Sequence, residues 1–175
     1  MNDYLDLSGE EIRNFRSRGE ISAKEILLAS EERIAVLNDT LKAIVSKRSP
    51  TALTEADQID KMGDLSGLFG LPVAIKDLND VQGLATTFGS PLFEDNVADE
   101  DDDVVASVRK NSGIIVGKTN VPEHGFGATT TSPIFGACGN PFDPNLSAGA
   151  STGGGAVAVA SGMAVYATGS DFAGS

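Results

Sequence analysis

The chain has no tryptophan, one cysteine and one histidine among its 175 residues, and aromatic residues make up only 6% of it. A single cysteine, Cys138, excludes an intrachain disulfide framework and fits a reducing compartment, so a cytoplasmic location is expected. A lone histidine, His124, and the absence of any His/Cys cluster at zinc spacing leave no metal centre to propose. Basic residues are scarce, with 13 Lys and Arg against 25 Asp and Glu, a formal net charge of −12. That balance argues against binding nucleic acid or an anionic membrane. The N-terminus, Met-Asn-Asp-Tyr-Leu-Asp, is acidic and lacks the apolar run of a secretory signal.

Hydrophobic residues nonetheless reach 41%, a globular composition with enough apolar material for a core. A long stretch from Leu146 to Ser170 carries no charge. It is long enough to span a bilayer, but glycines and hydroxyls break it up and leave only short Ala and Val runs, which suits tight packing inside a protein. It predicts a glycine-rich loop, a small-residue helix from about Thr152 to Ser161, a short strand from about Ala164 to Thr168, and a second glycine-rich turn. The two turns could bring Ser151 and Ser175 into one site.

Earlier in the chain, Ser8 predicts the N-cap of a short helix toward Arg18, and Ser22 with Glu25 forms a capping box for a second that ends near Asn38. Leu41 to Val45 reads as a strand and Thr51 to Met62 as a third helix, with Leu53, Ala56 and Ile59 on one side. Gly63, Gly67 and Gly70 mark a loop. Leu71 to Ile75 is a buried strand. The acidic run Asp99 to Asp103 reads as a solvated loop leading into a helix with Val104, Val105 and Val108, ended by Gly113. Ile114 to Val116 is a three-residue strand, and an irregular region begins at Gly117. Strands alternating with helices predict an α/β fold.

Gly117-Lys118-Thr119 has the tail of a phosphate-binding P-loop, but position 112 is Ser112 rather than glycine, and Ile114-Ile115-Val116 stands where the cradling loop would lie. Lys118 is expected instead to make an ionic or hydrogen-bonding contact at a strand end. His124 reads as structural or as the base of a Ser-His-Asp triad. With His124 set aside, a serine nucleophile needs another base, and a lysine of depressed pKa serves. Lys76, at the end of a buried strand, is the candidate; the alternative is an ion pair with Asp77.

Gly70-Leu71-Pro72-Val73-Ala74-Ile75-Lys76-Asp77 resembles the lysine motif of the amidase signature family. Asp103-Val104-Val105, Arg109, the run from Gly113 to Asn120, Glu123, Phe135-Gly136 and Asn140-Pro141 resemble its next blocks. Gly149-Ala150-Ser151-Thr152-Gly153-Gly154 resembles its serine loop, and Gly169-Ser170-Asp171-Phe172-Ala173-Gly174-Ser175 its nucleophile turn. The resemblance runs from about Gly70 to Ser175. It implies the N-terminal part of an α/β/α sandwich with a mixed central sheet, divided as a helical region 1–63 and catalytic motifs 64–175. It further implies that Ser175 is the nucleophile, Ser151 a proton relay following a cis peptide bond, and Lys76 the base. Backbone N–H groups of Phe172, Ala173, Gly174 and Ser175 would form the oxyanion hole. Ala150, Thr152 and Ala173 depart from the motif, and Ala173 would be strained if its position needs positive φ.

The implied activity is hydrolysis of a small-molecule carboxylic amide with no cofactor and no metal, in an enzyme that could be a homo-oligomer. Family members run to several hundred residues, so the isolated stretch is expected to be inactive. Two alternatives stand beside this: the glutaminase subunit of an aminoacyl-tRNA amidotransferase, working with partner subunits, and a degenerate non-catalytic fragment.

Overall fold

The computed structural model describes residues 3–63 and 67–175. Met1 and Asn2 lie outside the described residues, as do positions 64–66, where the predicted loop after Gly63 and the 63/64 boundary fall.

Two capping boxes start the helical region. Ser8 Oγ accepts the Glu11 N–H at 3.3 Å while the Glu11 carboxylate accepts the Ser8 N–H at 2.8 Å, opening α1 (Gly9–Ser17). Ser22 and Glu25 do the same at 3.1 and 2.8 Å for α2 (Ala23–Leu41). This helix runs past Asn38, so the expected strand at Leu41 is corrected. Lys42 ends α2 in the left-handed conformation, and β1 is Ile44–Lys47. The reason is local: the Asn38 amide donates to Ile44 O at 2.8 Å and accepts the Ile44 N–H at 2.7 Å, which ties the helix end to the start of the strand. The third helix, α3 (Thr51–Met62), has the predicted bounds, buries Ala52, Ala56 and Ile59, and stops at Gly63 with φ 64°.

The sheet is mixed and four-stranded. β2 (Pro72–Lys76) and β3 (Ile114–Thr119) are parallel and wholly buried at its centre. β6 (Tyr166–Ala167) joins parallel to β2, and β1 pairs antiparallel with β3. β3 is twice the predicted length, because Gly117, Lys118 and Thr119 continue the ladder opposite Ala74, Ile75 and Lys76. That pairing skips Val116, so residues beyond the bulge change face. Gly117 is required there: a Cβ would meet Ser46 O of β1 at 2.0 Å.

Side chains alternate across the sheet and feed two layers. Ala74, Ile114 and Val116 pack with α2, α3 and α5 (Gly153–Ala160). Val73, Ile75 and Ile115 pack on the other face with Val105 and Val108 of α4 (Asp103–Lys110). The fold is thus α/β with helices on both sides of a mixed sheet, as expected. Two details at the ends of α4 differ from expectation. Asp101 and Asp102 are not merely solvated: Asp101 accepts from Arg109 Nε at 2.5 Å and from the Gln82 N–H at 2.8 Å, and Asp102 accepts from the Asn79 amide and the Asp80 N–H, each at 3.0 Å. These bonds anchor the loop after β2 to the start of α4. At the far end of the helix, Ser112 rather than Gly113 takes the left-handed turn, with φ 57°. A small hairpin of β4 (Thr131–Ser132) and β5 (Gly136–Ala137) precedes the serine loop.

Candidate active site

Lys76 is the last residue of β2, and its side chain is fully buried. Its backbone N–H donates to Thr168 Oγ1 at 2.8 Å, which sets the strand against the segment leading out of β6. Its Nζ donates to Ser151 Oγ at 2.9 Å, and Ser151 Oγ donates to Ser175 Oγ at 2.9 Å. The three residues that the motifs single out, separated by 75 and 24 positions, therefore form one continuous hydrogen-bonded row.

The serine loop reaches β2 because α5 approaches the sheet closely. A Cβ on Gly154 would meet the backbone N and O of Asn120 at 2.5 Å, so glycine alone lets the helix start there. The Ala150–Ser151 peptide bond is cis, as the resemblance implies, and Ser151 is buried.

Two further hydroxyls surround the amine: that of Thr152, named above only as a departure from the motif, and that of Ser170. Nζ also donates to Thr152 Oγ1 at 3.0 Å and to Ser170 Oγ at 2.8 Å, with Ser170 O at 3.4 Å. The crowding of hydroxyls at both glycine-rich turns was the available signal, but spacing alone does not say which of them reach one lysine. Burial pulls the Lys76 amine below its usual pKa, and the negative charge of Asp171 partly restores it. A buried amine ringed by neutral hydroxyls is thereby eased toward its unprotonated, proton-accepting form.

The alternative pairing of Lys76 with Asp77 is not what the structure holds. Asp77 pairs with Lys118, Nζ to Oδ1 at 2.9 Å, and both side chains are buried. Lys118 also donates to Thr86 Oγ1 at 2.8 Å and Ala85 O at 3.3 Å, which gives it the ionic contact at a strand end that was expected. His124 is exposed and packs edge-on against Phe93, with ring centroids 5.9 Å apart; its backbone N–H donates to Phe88 O at 2.7 Å.

The nucleophile turn differs from expectation in one respect. The N–H groups of Gly174 and Ser175 donate to Asp171 Oδ1, the latter at 2.9 Å, and that of Ala173 also faces this carboxylate. Together they hold the Asp171 carboxyl below the usual range, with the Lys76 charge adding to the effect. In this conformation the donors assigned to an oxyanion hole from Ala173 to Ser175 are turned onto an internal acceptor, the carboxylate two to four residues before them. The positive φ of the turn, 94°, falls on Gly174; Ala173 is not among the left-handed residues, and the strain anticipated for it does not arise. Beside Ser175 opens a cavity of about 470 Å³, walled in part by Gly125, Phe126, Ala150 and Phe172.

Among the described residues no helix is long and apolar enough to cross a membrane. A family model described as Amidase matches residues 25–175. An indoleacetamide hydrolase of Bradyrhizobium diazoefficiens is 38% identical over 161 residues, covering 90% of this chain and 31% of its own. One component of the glutamyl-tRNA(Gln) amidotransferase of Chromohalobacter salexigens is 37% identical over 160 residues, covering 90% of this chain and 33% of its own. A bacterial aryl acylamidase of the amidase signature family shares the fold with a TM-score of 0.83 at 28% identity, over 90% of this chain and 34% of that one. The chain spans about a third of the length of the curated relatives it matches.

Proposed function

The chain belongs to the amidase family, and from that premise we propose that the protein cleaves a carboxylic amide to acid and amine through a serine acyl-enzyme. The observation that carries the proposal is the row Lys76 Nζ, Ser151 Oγ, Ser175 Oγ, with both links at 2.9 Å. Hydroxyls donate and accept, so the same row runs in the reacting direction. Ser175 Oγ attacks the amide carbonyl and gives its proton to Ser151 Oγ, whose own proton passes to neutral Lys76 Nζ. The proton then returns along the row to the leaving nitrogen, the C–N bond breaks, and the amine departs. Water adds to the acyl-enzyme by the same relay and releases the acid and Ser175.

The carbonyl oxygen gains negative charge in each addition. In this reading it replaces the Asp171 carboxylate as acceptor for the N–H groups of the turn, joined by that of Phe172. Thr152 and Ser170 orient the Lys76 amine by accepting its two N–H bonds, which leaves the nitrogen lone pair for Ser151.

The test is labelling with a serine-reactive phosphonate and mapping of the adduct. Modification of Ser175 in the wild-type protein, absent from Ser175→Ala, is expected; an adduct elsewhere that survives the substitution refutes the assignment of the nucleophile.

A second reading is favoured by the relative from Chromohalobacter salexigens: glutamine hydrolysis that feeds ammonia to the other components of an amidotransferase. The chemistry at Ser175 is the same and only the substrate and the fate of ammonia differ. Glutamine-dependent transamidation with purified partner proteins separates the two.

A further inference from the structure

The cavity beside Ser175 has a one-sided chemistry. Its walls come from the segment Gly125 to Ala128, from Ala150, and from the turn Phe172 to Ser175, and none of these residues carries a charged side chain. Two of them are phenylalanines. Phe126 is 78% exposed and Phe172 97% exposed, and they reach the cavity from two separate loops. Large apolar side chains left open beside a reacting group are informative in a way that scattered surface leucines are not.

Phe126 is also held in place. The His124 N–H donates to Phe88 O at 2.7 Å, the Gly125 N–H to Pro122 O at 2.8 Å and the Phe126 N–H to Glu123 O at 3.1 Å. Gly125 has φ 76°, and a Cβ there would meet Leu78 Cδ1 at 2.9 Å, so this tip is pressed onto the loop after β2. An aromatic ring on an anchored backbone is a pre-formed wall, whose ordering cost falls little on the ligand. The one carboxylate of the nucleophile turn, Asp171, is engaged by the N–H groups of Gly174 and Ser175.

We propose that Phe126 and Phe172 form an aromatic subsite, and that the substrate is an uncharged carboxamide bearing a flat aromatic group next to the scissile bond. A ring offers offset or edge contacts to both phenylalanines. Free glutamine, by contrast, would bring an ammonium and a carboxylate against this wall, whose side chains carry no charge, and burying an unpaired charge is costly. This inference rests on the hydrolase reading above and selects among its substrates.

The experiment compares kcat/KM for phenylacetamide, acetamide and glutamine in the whole protein, with phosphonate labelling of Ser175 run alongside. Phenylacetamide is expected to exceed glutamine by at least about tenfold. Phe126→Ala is expected to narrow the phenylacetamide-to-acetamide ratio by about tenfold, mainly through KM, and Phe126→Tyr, which keeps the ring, to restore it. A preference for glutamine, or an unmoved ratio in Phe126→Ala, overturns the aromatic subsite while labelling of Ser175 leaves the hydrolase reading standing. Absence of both labelling and turnover of all three amides overturns the hydrolase reading, and the subsite with it.

Discussion

Lys76 and Asp77 are consecutive, yet their side chains share no partner. Lys76 Nζ bonds to Ser151, Thr152 and Ser170, whereas Asp77 binds Lys118 and Thr87. Alternation at the end of a strand sends neighbours to opposite faces. The skip at Val116 completes the separation by placing Lys118 opposite Ile75, on the face away from the serines. The lysine of the buried salt bridge is thereby kept from the lysine proposed as the base.

The buried pair of Lys118 and Asp77 anchors the loop after β2. Lys118→Met leaves the Asp77 carboxylate buried without its cation and is expected to cost about 3–5 kcal/mol of stability. Thermal or urea unfolding measures it, and a double variant, Lys118→Met with Asp77→Leu, should recover part of the loss. A single variant as stable as the wild type would show that the pair contributes nothing.

The Lys76 amine titrates below its ordinary 10.5 because burial disfavours the ammonium, while Asp171 acts in the opposite sense. Only the neutral amine accepts the proton from Ser151, so kcat/KM should rise with pH through this depressed value and fall as the pH drops below it. Asp171→Asn removes the raising influence and should move that limb to lower pH. The same shift makes the fold gain stability as pH rises from the depressed value toward 10.5, since the unfolded chain binds the extra proton there. A pH–rate profile whose limb stays put, or moves upward, in Asp171→Asn would contradict this account.

Ser170 accepts from Lys76 Nζ at 2.8 Å without lying in the relay. As a positioning residue, its loss in Ser170→Ala should lower kcat by about tenfold with little change in KM. The limb of the pH profile should shift as well, because the amine loses an acceptor that favours its charged form. Rescue by Ser170→Thr, which restores a hydroxyl, distinguishes this from a general loss of structure; a purely structural role would leave the pH profile unmoved.

Gly117 is the tightest glycine of the sheet centre, with Ser46 O 2.0 Å from where a Cβ would stand. Gly117→Ala must push β1 away from β3 and is expected to cost at least about 1–3 kcal/mol. Denaturant unfolding reads the cost directly. Preserved stability would mean that β1 shifts freely at this edge.

The relation of sequence to structure differs from element to element. Helices α1, α2 and α3 were legible because their signals are local: a capping serine for the first, a capping box for the second, and an apolar stripe for the third. The end of α2 was not, since it depends on the Asn38 amide reaching Ile44 after the chain has turned. Only half of β3 is legible in the sequence, because Gly117, Lys118 and Thr119 have no strand-like pattern of their own and are extended only by partners on β1 and β2.

The order of its motifs determined, without any coordinates, that this chain has the α/β fold of the amidase family and which lysine and two serines to inspect. Tertiary structure alone decided which hydroxyls complete the amine's environment, that Asp77 belongs to Lys118, and that the N–H groups of the nucleophile turn rest on Asp171. The reason is physical. Capping and alternation act within a few residues and are written in local spacing, whereas a buried amine chooses its partners by the faces and loops that packing brings within about 3 Å, the reach of a hydrogen bond.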